Sequence, residues 1–95
     1  MEKKQLVISM RQLVDSAIDK LDKSGYKPEV VYKEFNERKN AIITLVNNTT
    51  NRREHLALMV ILNKVYVNPT TRNNAELLRK EFIKVKGKLP YPSDL

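Results

Sequence analysis

The side chains with the most chemical promise in this chain are cations. Arg52-Arg53, Arg72, Arg79-Lys80 and the alternating Lys84, Lys86 and Lys88 crowd its second half, and Asn73 and Asn74 follow Arg72. Each Lys or Arg that neutralises a phosphate releases a counterion, so a one-sided cluster is what contact with a nucleic-acid backbone requires. Arg and Asn can go further, because each can form two parallel hydrogen bonds to a base edge, Arg to guanine and Asn to adenine. A lysine-rich surface that only keeps a small protein in solution would read the same way. Convergence of these groups on one folded face would favour nucleic acid, and scatter would favour a protein partner.

The excess charge is local. Of 95 residues, 18 are Lys or Arg and 11 are Asp or Glu, giving a net charge of +7. Residues 1–24 carry five cations and four anions, and residues 25–50 carry four and three, so each nets +1. Residues 51–68 carry three and one, and residues 69–95 six and three, which places +5 of the +7 in the second half.

Chemistry of other kinds finds little support. The chain has no cysteine, which excludes disulfides, thiol catalysis and thiolate metal sites. Its one histidine, His55, sits beside Glu54 near a helix start, where a boundary side chain is a simpler description than a general base. The carboxylates Glu34 and Glu37, like Glu76 and Glu81, are interleaved with Lys33, Arg38, Arg79 and Lys80 in the manner of a solvated, ion-paired helix face. There is no glycine-rich phosphate loop, G-x-S-x-G or H-E-x-x-H. No enzyme activity, metal or cofactor is expected.

The elements that must hold these residues follow from apolar spacing. Leu6, Met10, Leu13, Val14, Ala17, Ile18 and Leu21 recur at three and four residues, one stripe of a helix. Gly25 suits the left-handed position just past its end. Pro28 and Glu29 suit the first turn of a second helix, whose stripe runs through Val31, Phe35, Arg38, Ile42, Leu45 and Val46. Asn51-Arg52-Arg53-Glu54 has capping-box spacing and opens a third helix from about Arg52 to Tyr66, apolar nearly all round between Leu56 and Leu62. Such a helix belongs at the centre of a bundle or in a subunit interface. The β-favouring residues Val60, Ile61, Val65, Tyr66 and Val67 support a competing hairpin over residues 41–67. A fourth helix carries Ala75, Leu77, Leu78, Phe82, Ile83 and Val85, starts after a cap at Asn68 or Asn73, and ends at Gly87.

These segments predict an all-α fold, a small antiparallel or orthogonal bundle of four helices, with α+β as the alternative. Residues 1–88 form a single domain and residues 89–95 an extended tail, with Pro90-Tyr91-Pro92 suited to a polyproline docking segment. If Asn68 caps the fourth helix, the third and fourth helices have the short turn of a helix-turn-helix, with Arg72, Asn73 and Asn74 placed to read bases. Leu58, Ile61, Leu62 and Val65, with Val60, exceed what one small core needs and predict a homo-oligomer or partner interface. The longest apolar run, Leu56 to Leu62, is far short of a membrane span. No secretory leader is recognisable, so the chain reads as cytoplasmic and the sequon matches at Asn47 and Asn48 as chance. Size, charge and helix count resemble those of small phage and plasmid regulators and of bacteriocin immunity proteins, though no motif carries that likeness. The leading expectation is a small regulatory protein contacting nucleic acid. The alternative is a protein-binding module of inhibitor, adaptor or immunity type.

Overall fold

A computed structural model of the protein describes residues 2–48 and 51–95. The sequon residues Thr49 and Thr50 lie outside the described residues. Four helices run in order, α1 (Lys3–Asp22), α2 (Pro28–Asn47), α3 (Arg52–Leu62) and α4 (Ala75–Lys88). Short 3-10 turns at Pro69–Thr71 and Pro92–Asp94 complete the fold, and the described residues contain no strand. The all-α expectation therefore holds and the hairpin does not form.

The central element is α1, not the expected α3. Leu6, Val7, Met10, Val14 and Ala17 bury its stripe, and α2, α3, α4 and the last 3-10 turn all pack on it. Side-chain pairs set the directions. Lys20 of α1 meets Glu34 of α2, Arg79 and Lys86 of α4 meet Asp22 and Asp15 of α1, and His55 of α3 meets Asn47 of α2. Each of these neighbours is antiparallel, as short connections favour. Phe35 of α2 and Phe82 of α4 close the core edge to face, with ring centres 4.8 Å apart. Among the described residues, α3 packs on α1 and α2 without approaching the backbone of α4.

Several boundaries differ from expectation for local reasons. Gly25 adopts the left-handed conformation, φ +98°, but in the turn beyond the extended cap Lys23, so it reverses the chain and does not end α1 directly. The third helix stops at Leu62. Beyond it, Val65 and Val67 point inward while Tyr66 is 65% exposed, so the β-favouring residues alternate along an irregular stretch without a partner strand. Asn74 caps α4 by accepting from the Leu77 N–H at 3.1 Å, and Asn68 caps the preceding 3-10 turn. Gly87 lies inside α4, which runs on to Lys88. The tail is docked: Leu89 is buried and Arg11 of α1 stacks on the Tyr91 ring, 4.4 Å from its centre.

Candidate interaction surfaces

The predicted nucleic-acid residues separate into several environments. Two of them are interhelical ties. Arg79 Nε lies 2.7 Å from Asp22 Oδ1, and Lys86 Nζ lies 2.7 Å from Asp15 Oδ1, two turns apart on both helices. These cations turn toward α1. Lys80, Lys84 and Lys88 share the opposite, outward row of α4, four residues apart. Lys80 pairs with Glu76 at 3.6 Å and Lys84 with Glu81 at 3.3 Å, whereas Lys88 has no ion pair among the described residues. Arg72 is exposed and donates to the Pro69 carbonyl at 3.2 Å. Arg52 and Arg53 sit on α3, away from all of these.

The helix-turn-helix expectation fails on geometry. The connection between α3 and α4 spans residues 63–74 and contains its own 3-10 turn, where the motif needs three or four residues. Asn74 is occupied as a cap, and Arg72 and Asn73 lie in the loop ahead of α4 and not in its first turn.

The interface expectation also needs correcting. Leu58, Ile61, Leu62 and Val65 are 0–3% exposed in the chain's own core and are unavailable to a partner. Between them, α1 and α2 cover that side of α3. The outward face of α3 instead presents Leu56 and Val60, one turn apart and 55% and 58% exposed. In its first turn, Arg52 and Arg53 are exposed and have no ion pair among the described residues. Cations there oppose the helix dipole, at a cost of about 0.3–1 kcal/mol each. Lys64 and Tyr66 follow α3, and both are exposed. The sequence signal for this face was the i, i+4 spacing of Leu56 and Val60 beyond the paired arginines.

A second apolar surface is concave. Ser9, Gln12, Leu13 and Ser16 of α1 and Arg38, Ala41 and Ile42 of α2 line a groove of about 470 Å³. Arg38, the cation in its lining, is already engaged: it shares Glu34 with Lys20, at 3.0 and 2.7 Å, and further along α1 Lys23 holds Asp19 at 2.9 Å. The hydrogen bond that Lys20 donates holds the Glu34 carboxyl below its usual range, and the one that Lys23 donates to Asp19 holds the Lys23 ammonium above its own.

Two further polar contacts were missed from sequence. Half-buried Lys39 of α2 donates to the Val65 carbonyl, tying down the chain as it leaves α3, and burial lowers its pKa. Glu81 of α4 accepts from the Asn68 N–H at 3.0 Å, which holds its carboxyl below the usual range, and so anchors the other end of that segment. The chemically suggestive histidine is local: His55 Nε2 lies 3.3 Å from Asn47 Oδ1 across the α2–α3 corner. Among the described residues, no three His, Asp or Glu side chains are grouped to hold a metal, and no helix is long and apolar enough to cross a membrane.

The chain matches no protein-family model, no curated protein and no solved structure at a level that would establish kinship.

Proposed function

We propose that the protein is a non-enzymatic binding module, of inhibitor, adaptor or immunity type, that captures an acidic protein through the outward face of α3. The observation that carries this reading is the pairing of exposed Leu56 and Val60 with Arg52 and Arg53, two cations that weaken their own helix and meet no carboxylate among the described residues. A partner carboxylate would relieve that unfavourable charge while the aliphatic pair supplies apolar burial. Complementary charge would also steer the encounter and select against basic or neutral surfaces. Just past the end of α3, exposed Lys64 and Tyr66 add one more cation and an amphipathic ring of the kind enriched at interfaces.

Photo-crosslinking tests this in cells that produce the protein. A crosslinker at Leu56 or Val60 should capture one acidic protein, and a crosslinker at Lys84 should not. Equal capture from both positions would overturn the reading.

Nucleic-acid contact is the second reading, favoured by the outward row of Lys80, Lys84 and Lys88. Their exposed ion pairs are weak enough for phosphates to displace the carboxylates. Three such contacts give a modest salt dependence, a log–log slope of about −3, and carry no sequence specificity. Absence of binding to duplex DNA, single-stranded DNA and RNA at low salt would dispose of it.

A further inference from the structure

We propose that residues 63–74, between α3 and α4, form a strap that opens as one unit while the four helices stay folded, and that acid releases it. The device operates in the isolated chain, whatever α3 binds.

The strap spans a break in the bundle. Arg79 with Asp22 and Lys86 with Asp15 lay α4 along the second half of α1, while His55 with Asn47 lays α3 along the last turns of α2. The backbones of α3 and α4 therefore stay apart, and the connection crosses the space between them. Of its residues only Val65 and Val67 are buried, and both belong to the shared core. Lys39, one turn beyond Phe35, donates to the Val65 carbonyl, and Glu81, next to Phe82, accepts from the Asn68 N–H at 3.0 Å. The strap thus runs from the α2 side to the α4 side of the Phe35–Phe82 contact, with its two valines turned inward.

Little else holds it. Among the described residues, its other hydrogen bonds join groups no more than four residues apart. A segment with so few buried side chains and long-range bonds opens more readily than the core. When it lifts, the helices keep their own ties: Phe35 on Phe82, α4 ion-paired to α1, and Leu58, Ile61 and Leu62 buried on α3. Withdrawal of Val65 and Val67 then uncovers apolar surface between the anchors.

Both anchors titrate in the same sense. The Asn68 N–H holds the Glu81 carboxyl below its ordinary 4.5, with Lys84 and Lys88 of the same helix adding to it. Burial holds the Lys39 ammonium below its ordinary 10.5, and no carboxylate pairs with it among the described residues. The strap itself carries no carboxylate. Each anchor therefore binds protons less readily when the strap is shut, so closure releases protons and is favoured as pH rises. The part due to Glu81 is complete above 4.5 and is lost as pH falls through the folded value.

Native-state hydrogen exchange of the full chain, followed by NMR in sub-denaturing guanidinium, tests the proposal. The Val65, Asn68 and Thr71 amides should share one opening reaction, with protection at least about 10-fold below that of Met10 and Val14 in α1. At pH 7, Glu81→Gln should lower protection at Val65 and at Asn68 by the same factor, up to about 5-fold, although Val65 is bound by the other anchor. Between pH 7 and pH 4 the protection of these amides should fall in the unaltered protein and much less in Glu81→Gln. Protection at Val65 and Asn68 equal to that of Met10 and Val14 would overturn the strap as a separate unit. A loss confined to Asn68 in Glu81→Gln would overturn its opening as one piece, and an equal acid response in both proteins would overturn release through Glu81.

Discussion

On α3, Leu56 and Val60 stand beside two arginines with no ion pair among the described residues. Between α1 and α2, Leu13 and Ile42 lie among cations that each already hold a carboxylate. Both regions expose aliphatic surface, and composition alone does not separate them. What separates them is whether the charges are committed. A committed cation gives a newcomer less, by the roughly 0–1 kcal/mol of the exposed pair it must give up. An uncommitted cation at the wrong end of a helix gains from any carboxylate that arrives. Direction, not occupancy, separates Arg79 and Lys86 from the outward lysines of α4: they reach across to Asp22 and Asp15 of α1, whereas Lys80 and Lys84 pair within α4.

Two leucines of α3 should respond in opposite ways to truncation. Leu58→Ala opens a cavity at a fully buried site and should cost about 2–5 kcal/mol in urea or guanidinium unfolding. Leu56→Ala, two residues away and mostly exposed, should stay within about 0.5 kcal/mol and act on partner affinity instead. Equal stability losses would mean that the outward face of α3 is part of the core.

Next in size is the double reversal Arg52→Glu with Arg53→Glu. It should reduce affinity for the acidic partner by about 10–100-fold, or about 1.4–2.8 kcal/mol. It should also raise the melting temperature slightly, because acidic groups suit the first turn of a helix. Binding and stability then move in opposite directions, which a variant that merely damaged the fold cannot do.

A smaller effect belongs to Glu81, a carboxylate already occupied. Its folded pKa is lowered, so its contribution is complete above the ordinary glutamate range near 4.5 and is lost as pH falls through the folded value. Glu81→Gln should reduce stability at pH 7 by up to about 1 kcal/mol and flatten the acid limb of a stability–pH profile.

The smallest effect is expected from Asp15→Asn with Asp22→Asn. Exposed pairs of this kind contribute about 0–1 kcal/mol each, so thermal stability should move little. The substitution frees Lys86 and Arg79, however, and raises the net charge from +7 to +9. Nucleic-acid affinity at low salt should rise only if α4 contacts phosphates, which separates the two readings of the basic half in one gel-shift titration.

Much of the fold was legible because helices announce themselves by spacing. The stripe from Leu6 to Leu21, Pro28 at the start of α2, and Asn51 ahead of α3 were each readable from neighbours within a few residues. Boundaries governed by longer-range contacts were not. The end of α3 is followed by a turn and by a stretch that Lys39 tethers through Val65, and Leu89 is drawn into the core against the expectation of a free tail. The candidate site divided the same way. Every basic residue was identifiable, yet nothing local revealed which would be engaged by α1.

By itself, then, the sequence determined four amphipathic segments, a preference for an all-α class over a hairpin at 41–67, and a charge excess concentrated in the second half, because periodicity, capping and charge are properties of adjacent residues. Only the tertiary structure decided that α1 occupies the centre and that Leu58, Ile61, Leu62 and Val65 belong to the core. It also turned Arg79 and Lys86 inward to α1 while leaving Arg52 and Arg53 outward. The physical reason is that burial and ion pairing depend on which helix lies opposite, and that is set by the mutual packing of stripes from distant parts of the chain.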